Sequence, residues 1–190
     1  MTPEMGRQER VARAMSRDKH AEFMAEQLAL LIAVRTSRII TLLCLGLGML
    51  ILSIGAVVEG EMLMVATATT LLGAVCSIAA IVGNRRLRRD PINQLQKSRP
   101  NPKGFPTSSV AGRMVFAGAC LMGITVASIL FAETPALSIS LAVALVAMGA
   151  GAPATANQFA RSKEQVQKLL AEDPEVREVL ADTRPQWLYN

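Results

Sequence analysis

The chain has 190 residues, of which 51% are hydrophobic and only 18% charged, and its net charge is +5. Soluble domains contain about 25% charged residues, so this composition excludes a soluble enzyme, a disordered chain and a secreted disulfide-rich scaffold. The mean hydropathy of +0.34 indicates a membrane protein. The three cysteines, Cys44, Cys76 and Cys120, all lie in apolar stretches, where we expect them to be small apolar fillers.

Residues 1–38 are predicted to form a cytoplasmic, amphipathic N-terminal helical region. Met24, Leu28 and Leu31 recur at steps of three and four residues, as they would along one face of a helix. This stripe belongs either to an amphipathic helix at the membrane interface or to a straight extension of the first span, unless it packs only against the protein's own cytoplasmic tails. His20 has no second metal ligand at a suitable spacing, so we expect it to be a solvated helix residue.

Four uncharged runs follow, at 39–58, 62–84, 114–132 and 134–160. A helix of about 20 apolar residues crosses the bilayer core, so each run is long enough to span it. We therefore predict an all-α integral membrane protein with four transmembrane helices, arranged as two hairpins at 39–83 and 114–158. The first run is interpreted as a permanent helix and not as a signal peptide, because 38 residues precede it. The hairpins share an order of Arg, Glu and Asn around their apolar runs, which either duplication or convergence explains.

The 20 Lys and Arg residues occupy three segments, with seven in 1–38, eight in 85–113 and five in 161–184. Neither hairpin tip carries a basic residue, while Glu59, Glu61 and Glu133 lie there. Because cytoplasmic segments of membrane proteins are enriched in Lys and Arg, both termini and the central segment are predicted to be cytoplasmic. No N-glycosylation sequon occurs, so a bacterial inner membrane is the expected location.

Residues 84–113 are predicted to be a basic, proline-containing cytoplasmic loop. Its cluster of cations adjoins the second span and consists of Arg85, Arg86, Arg88 and Arg89. Such a cluster is expected to bind membrane lipids, in particular anionic headgroups, or an acidic protein partner, unless it serves only as a stop-transfer anchor. No aromatic residue interleaves with these arginines, so nucleic acid is not an expected partner.

Small residues recur at helical spacing in the second, third and fourth spans, and helices pack closely in lipid through such residues. The predicted packing positions are Gly73 and Ser77, then Ala119, Gly123 and Ala127, then Ala147 and Gly151. The first span is rich in leucine and is expected to face lipid or a partner subunit. Gly149, Gly151 and Pro153 interrupt the fourth span and predict either a hinge or a simple kink.

Residues 159–190 are predicted to be a cytoplasmic helical tail. Asp173 and Pro174 have the residue types typical of a helix N-cap and first helical position. Trp187 and Tyr189 are the only Trp and Tyr of the chain. Because these residue types dominate interface hot spots, they predict a docking tail, unless the aromatic tail folds back to the lipid headgroups.

The uncharged runs contain no ionisable side chain of the kind that marks a proton or ion path, and the chain has no catalytic, metal or cofactor motif. We therefore expect a non-enzymatic structural or accessory subunit of a larger membrane complex, such as a secretion, conjugation or transport assembly. Its partners would be other subunits or further copies of itself. The alternative is a homo-oligomeric channel or membrane-permeabilising effector, whose polar path would be lined by Thr67, Thr69, Thr70, Ser138 and Ser140.

Overall fold

The computed structural model describes residues 3–60, 63–89, 91–97, 100, 109–130 and 133–188, with backbone only for 3–15, 87–89, 109 and 186. These residues are 93% helical and include no strand, which confirms the all-α prediction. The helices are α1 (Pro3–Glu59), α2 (Leu63–Arg89), α3 (Pro91–Lys97), α4 (Ser109–Leu130), α5 (Pro135–Gly149), α6 (Gly151–Thr155), α7 (Gln158–Glu172) and α8 (Pro174–Asp182). A 3₁₀ turn at Gln186–Leu188 follows α8.

Four helical stretches are long and apolar enough to cross a membrane, as predicted. They are Ser16–Glu59, Leu63–Arg86, Val110–Leu130 and Pro135–Thr155. The chain divides into two compact units. The tail unit comprises the described parts of 1–33, 90–102 and 159–190, and the span unit those of 34–89 and 103–158.

Within the span unit, α1 and α2 form an antiparallel pair that meets through glycines. A methyl group added to Gly46 would lie 2.8 Å from Ser77 Oγ and 3.1 Å from the backbone oxygen of Gly73. Further along, a methyl group on Gly83 would lie 3.5 Å from Cγ1 of Ile39. Backbones approach this closely only where side chains are small, and close approach is the main source of helix association in lipid.

The first span also packs against α5, so the prediction that it chiefly faces lipid or a partner is wrong. A methyl group on Gly48 would lie 2.9 Å from the backbone oxygen of Ala144, and one on Gly55 would overlap the side chain of Ser140. Leu43 and Leu47 nevertheless remain exposed. The helix therefore has a glycine face that packs against α2 and α5 and a leucine face that stays exposed. Because leucines predominate in the first span, its composition did not indicate the packing role of the glycines.

The third span, α4, packs on α5 and α6 but leaves most of its surface uncovered. A methyl group on Gly123 would lie 3.1 Å from the backbone oxygen of Ala142, and one on Gly112 would lie 2.9 Å from that of Ala152. Leu121 and Ile129 are 67% and 71% exposed. Water-soluble proteins rarely expose so continuous an apolar surface, whereas a lipid environment favours it.

The tail unit has a hydrophobic core to which four helices contribute. Its largest buried members are Met24, Leu28 and Leu31 of α1, Leu95 of α3, Val166 of α7 and Leu180 of α8. Of the alternatives for the apolar stripe of α1, packing against the chain's own tails is therefore the observed one. Burial of such side chains is worth about 1.5–3 kcal/mol each, which stabilises a unit assembled from separate segments.

Part of the segment predicted as a loop is helical. Pro91 begins α3, and Leu95 on this helix is fully buried in the tail-unit core. A helix of seven residues is unstable alone, so tertiary packing accounts for its presence. The predicted start of α8 is confirmed, since the Asp173 side chain accepts a hydrogen bond of 3.0 Å from the backbone N–H of Glu175, and Pro174 follows it.

The chain leaves the helical conformation after α6 and not at the glycines before it. Ala150 keeps helical angles, and its N–H donates to the Val146 oxygen at 2.9 Å. Ala156 is extended, and Asn157 has a φ of 64°, the left-handed region that non-glycine residues rarely adopt. The turn between α6 and α7 therefore depends on Asn157.

We expect the Asn157→Ala substitution to lower the free energy of unfolding by about 1 kcal/mol, because alanine tolerates the left-handed conformation less well than asparagine. The matched Asn157→Gly variant should be at least as stable as the original chain, since glycine adopts a positive φ freely. Thermal unfolding of the purified full chain in detergent measures both. Equal midpoints for the two variants would contradict this account of the turn.

Candidate functional site

A groove of about 710 Å³ lies between α1, α7 and α8 in the tail unit. Its apolar lining is contributed by Ala21, Ala25, Val166, Leu170 and Ala171. The groove is large enough for several side chains of a partner, since ligand pockets measure about 300–1,000 Å³. Phe23, also in its lining, is 39% exposed although it is a large apolar residue.

Charged residues surround this groove and join α1 to the two tail helices. Lys163 Nζ lies 3.1 Å from Glu26 Oε1, and Arg177 Nη2 lies 3.1 Å from Asp18 Oδ1. Both pairs are exposed, so each contributes little to stability and more to the relative position of the helices. The rim of the groove thus carries both signs of charge, with no excess that selects a strongly acidic or basic ligand.

Arg17 and His20 make further contacts from α1 to the end of α8. Arg17 donates a hydrogen bond to Asp182, and this bond and the carboxylate charge raise the pKa of the guanidinium above its ordinary value. Nε2 of His20 lies 3.0 Å from the backbone oxygen of Thr183. A ring N–H must donate this bond, so His20 contacts the chain where the sequence predicted a solvated residue.

The predicted docking tail lies against the core of its own unit where the structure describes it. Trp187 packs on the core cluster, and its Nε1–H donates a hydrogen bond of 2.6 Å to the backbone oxygen of Leu95. Tyr189 lies outside the described residues. This contact joins the C-terminal segment to α3, and a docking role for the two aromatic residues stays a prediction.

The predicted basic cluster lies at the end of α2. Arg85 and Arg86 are exposed, while Arg88 and Arg89 continue the helix with side chains outside the described set. On α1, Ile39 contacts Gly83 of α2, so Arg35 and Arg38 lie at the same end of the helix pair. The sequence did not indicate this juxtaposition, because the two pairs of arginines are about 50 residues apart.

The predicted packing residues of the spans lie in three separate contacts. Gly73 and Ser77 meet α1 near Gly46, while Gly123 and Ala119 meet α5 near Ala142 and Gly149. Gly151 meets α1, where its added methyl group would lie 3.4 Å from Cβ of Cys44. Ala127 and Ala147 are partly buried on α4 and α5. Sequence reasoning missed the complementary glycines of the first span.

The candidate hinge in the fourth span coincides with packed backbone. Gly149 and Gly151 are buried, and Pro153 lies inside α6, where its Cα would be 3.1 Å from a methyl group on Gly112. Helical hydrogen bonding continues through Ala150, whose N–H donates to the Val146 oxygen and whose oxygen accepts from the N–H of Ala154. A hinge role for these residues stays a prediction.

The hydroxyl groups predicted to line a polar path are engaged by their own helices. Thr67, Thr69 and Thr70 of α2 donate to backbone oxygens three or four residues earlier, at 2.7–3.1 Å. Ser138 and Ser140 of α5 do the same at 3.2 and 2.7 Å. Such bonds satisfy a hydroxyl within an apolar environment without any partner helix. The two groups lie on different helices, α2 and α5.

One acidic residue at the hairpin tips has a structural partner. Glu59, at the end of α1, accepts a hydrogen bond of 3.3 Å from the backbone N–H of Leu137 in the first turn of α5. The residue before α5, Thr134, makes no capping bond with its own side chain. A carboxylate near a helix N-terminus is favoured by the helix dipole, so Glu59 joins the two hairpins at their tips.

We expect the Glu59→Gln substitution to lower the free energy of unfolding of the span unit by about 0.3–1 kcal/mol, because the charge interaction with the α5 N-terminus is lost. The three cysteines all lie on span helices, so the reaction of a thiol-specific fluorophore during heating reports the opening of this unit. The control is Glu164→Gln on the exposed surface of α7, which should leave the midpoint unchanged. A midpoint unaffected by Glu59→Gln would exclude the proposed contact.

Among the described residues, no group of three or more His, Cys, Asp or Glu side chains is arranged to hold a metal ion. The cysteines are free thiols, and Cys76 is buried. No protein-family model, characterised protein or solved structure matches this chain.

Proposed function

We propose that this chain is a non-enzymatic, four-span protein of a bacterial inner membrane, with both termini cytoplasmic, that serves as a structural or accessory subunit of a larger membrane complex. The observation that carries the proposal is the make-up of the tail unit. Its core combines residues that precede the first span, lie between the second and third spans, and follow the fourth.

Segments that share one hydrophobic core must lie on the same side of a bilayer. Met24 and Leu95 flank the first helix pair, and Leu95 and Val166 flank the second. Each pair must therefore cross an even number of times, and two spans per hairpin meet this condition. The Lys and Arg residues lie in or next to these same segments and are absent from the hairpin tips. Because cytoplasmic segments are enriched in Lys and Arg, this distribution favours the cytoplasm as the side that holds the tail unit.

A role as a subunit is supported by the surface of the tail unit. Although its core is closed, the groove beside Phe23 remains open, with an apolar lining and charges of both signs at its rim. Interfaces between proteins combine apolar centres containing aromatic residues with polar rims. The uncharged spans provide no ionisable group for chemistry within the membrane, so association with other proteins is the function that this surface supports best.

The topology is tested by cysteine labelling in intact cells. We expect Gly60→Cys and Thr134→Cys to react with a membrane-impermeant maleimide added outside, because both hairpin tips face away from the cytoplasm. Gln165→Cys on α7 is the matched control and should react only after the cells are permeabilised. Reaction of Gln165→Cys in intact cells, or protection of both tips, would contradict the orientation.

The subunit role is tested by purification in mild detergent followed by mass spectrometry of the accompanying proteins. We expect a defined set of partner chains, and we expect the Phe23→Asp variant to retain the span unit but to lose these partners. Lys168→Ala, on the exposed surface of α7, is the control and should keep them. A chain that purifies alone would count against the proposal. Ion flux through liposomes that contain only this protein would instead favour the channel alternative.

A further inference from the structure

We propose that the groove beside Phe23 holds an amphipathic helix of a partner subunit. That helix presents an apolar stripe to the groove, and beside the stripe it carries a cation that meets Glu22 and a carboxylate that meets Lys19. This inference deepens the proposed function, on which it rests, by stating the chemistry of the partner that the groove takes.

The walls of the groove determine the conformation of its occupant. They are formed by α1, α7 and α8, whose backbone N–H and C=O groups bond within each helix. An extended segment would find no strand edge to pair with in these walls, and its own backbone groups would lose water without gaining a partner. A helix satisfies its backbone internally and presents only side chains, and this is a recurring mode of binding in apolar grooves.

The floor of the groove is shaped for side chains at helical spacing. Ala21 and Ala25 lie one turn apart on α1, and Val166 and Leu170 lie one turn apart on α7. Because alanine side chains are short, the space between these two helices stays open. The lining along α1 runs over residues 19–26, which is about 10 Å of helix and matches two turns of a second helix.

The charges beside Phe23 determine the charges that the partner carries. Lys19, Glu22 and Phe23 are exposed members of the lining, at steps of three and four residues along α1. Within the part of the chain that the structure describes, neither Lys19 nor Glu22 makes a hydrogen bond or an ion pair, whereas the other charged residues of this lining are in ion pairs. A partner edge of a single sign would be repelled by one of the two residues, so the complementary edge carries both signs.

Such an edge also fixes the direction of the bound helix. A helix whose charges all lie on one edge can turn its stripe to the floor and that edge to α1 in only one direction along the groove. Of the two possible orders of its cation and carboxylate, only one then places them opposite Glu22 and Lys19. The groove therefore distinguishes two helices of identical composition.

The test measures the binding of two labelled synthetic helical peptides to the full chain in neutral detergent by fluorescence anisotropy. Both peptides have the same leucine stripe and carry one lysine and one glutamate, three residues apart on the same edge, in opposite orders. Because they share their composition, they enter detergent micelles equally, and the ratio of their affinities reports the groove. We expect the original chain to prefer one order by about three- to tenfold, as is typical of two exposed charge pairs.

Three variants examine the residues that the proposal names. Lys19→Glu/Glu22→Lys exchanges the two charges without changing the net charge, so it should prefer the opposite order by a similar factor. Lys168→Glu/Glu172→Lys makes the same exchange on α7 outside the groove lining and is the matched control, which should keep the original preference. Phe23→Ala should weaken the binding of both peptides by about tenfold, because aromatic side chains carry much of the binding energy of an interface.

Equal affinity of the two peptides for the original chain, or a preference that Lys19→Glu/Glu22→Lys does not reverse, would overturn the assignment. A chain that is a dimer by light scattering without peptide, and becomes a monomer on Phe23→Ala, would overturn it in favour of a second copy as the occupant. The proposed function fails on a different observation, since a chain that purifies without partners refutes the subunit role whichever peptide the groove prefers.

Discussion

Replacement of Gly55 by valine is expected to separate the first span from the fourth and to lower the free energy of unfolding of the span unit by about 1–3 kcal/mol. Even one added carbon at Gly55 would overlap the Ser140 side chain and lie 3.0 Å from the backbone oxygen of Ala136. The serine can rotate, but the backbone oxygen cannot move without shifting α5. The measurement is the heating midpoint reported by the thiol-reactive fluorophore, which senses the opening of the three span cysteines.

The matched control is Gly118→Val on α4, where an added methyl group meets nothing within 4 Å. Valine and glycine differ little in helix propensity, so this variant should unfold within about 0.5 kcal/mol of the original chain. An equal loss of stability in both variants would mean that valine destabilises the helix in which it lies and does not act by disturbing the contact of α1 with α5. That result would remove the evidence for close packing of the first span.

The second large effect is expected from Leu95→Ala, which should lower the free energy of unfolding of the tail unit by about 2–5 kcal/mol. Leu95 is fully buried, and its backbone oxygen accepts the indole hydrogen bond of Trp187. The helix α3 has only seven residues, and Leu95 is the buried residue among them. The packing of α3 on the core therefore depends on this side chain. Trp187 is the only tryptophan of the chain, so its fluorescence during heating reports this unit alone.

The control for this prediction is Leu169→Ala on α7, whose side chain is 51% exposed. It should cost less than about 1 kcal/mol, since little apolar surface leaves water there on folding. The thiol fluorophore should report an unchanged midpoint for the span unit in both variants. If Leu95→Ala and Leu169→Ala shift the tryptophan transition equally, α3 is not part of the core.

Local sequence signals predicted the features that depend on neighbouring residues. The four uncharged runs predicted the apolar helices, because span length follows from bilayer thickness. Asp173 and Pro174 predicted the start of α8, because a helix cap is made within a few residues. The three-to-four spacing of Met24, Leu28 and Leu31 predicted a buried face and left its partner open.

The features that sequence reasoning missed depend on contacts between distant residues. Leu95 lies among prolines and polar residues, and the segment is helical because Leu95 packs in the tail-unit core, where Trp187, 92 residues away, also bonds to it. The packing role of Gly46, Gly48 and Gly55 depends on Ser77, Met148 and Ser140, which lie on other helices. Arg35 and Arg86 likewise come to the same end of the helix pair only through the contact of Ile39 with Gly83. In each case the partner is set by tertiary packing, which composition and periodicity do not encode.

The order in which the chain is synthesised has a consequence for the tail unit. Trp187 and Leu180 follow all four apolar helices, so the core around Met24 can close only after the last of these helices has left the ribosome. Until then the N-terminal part of α1 exposes its apolar stripe, a feature that chaperones and proteases recognise. Closure of this core therefore follows the synthesis of all four apolar helices, and chains in which it does not close would remain open to degradation.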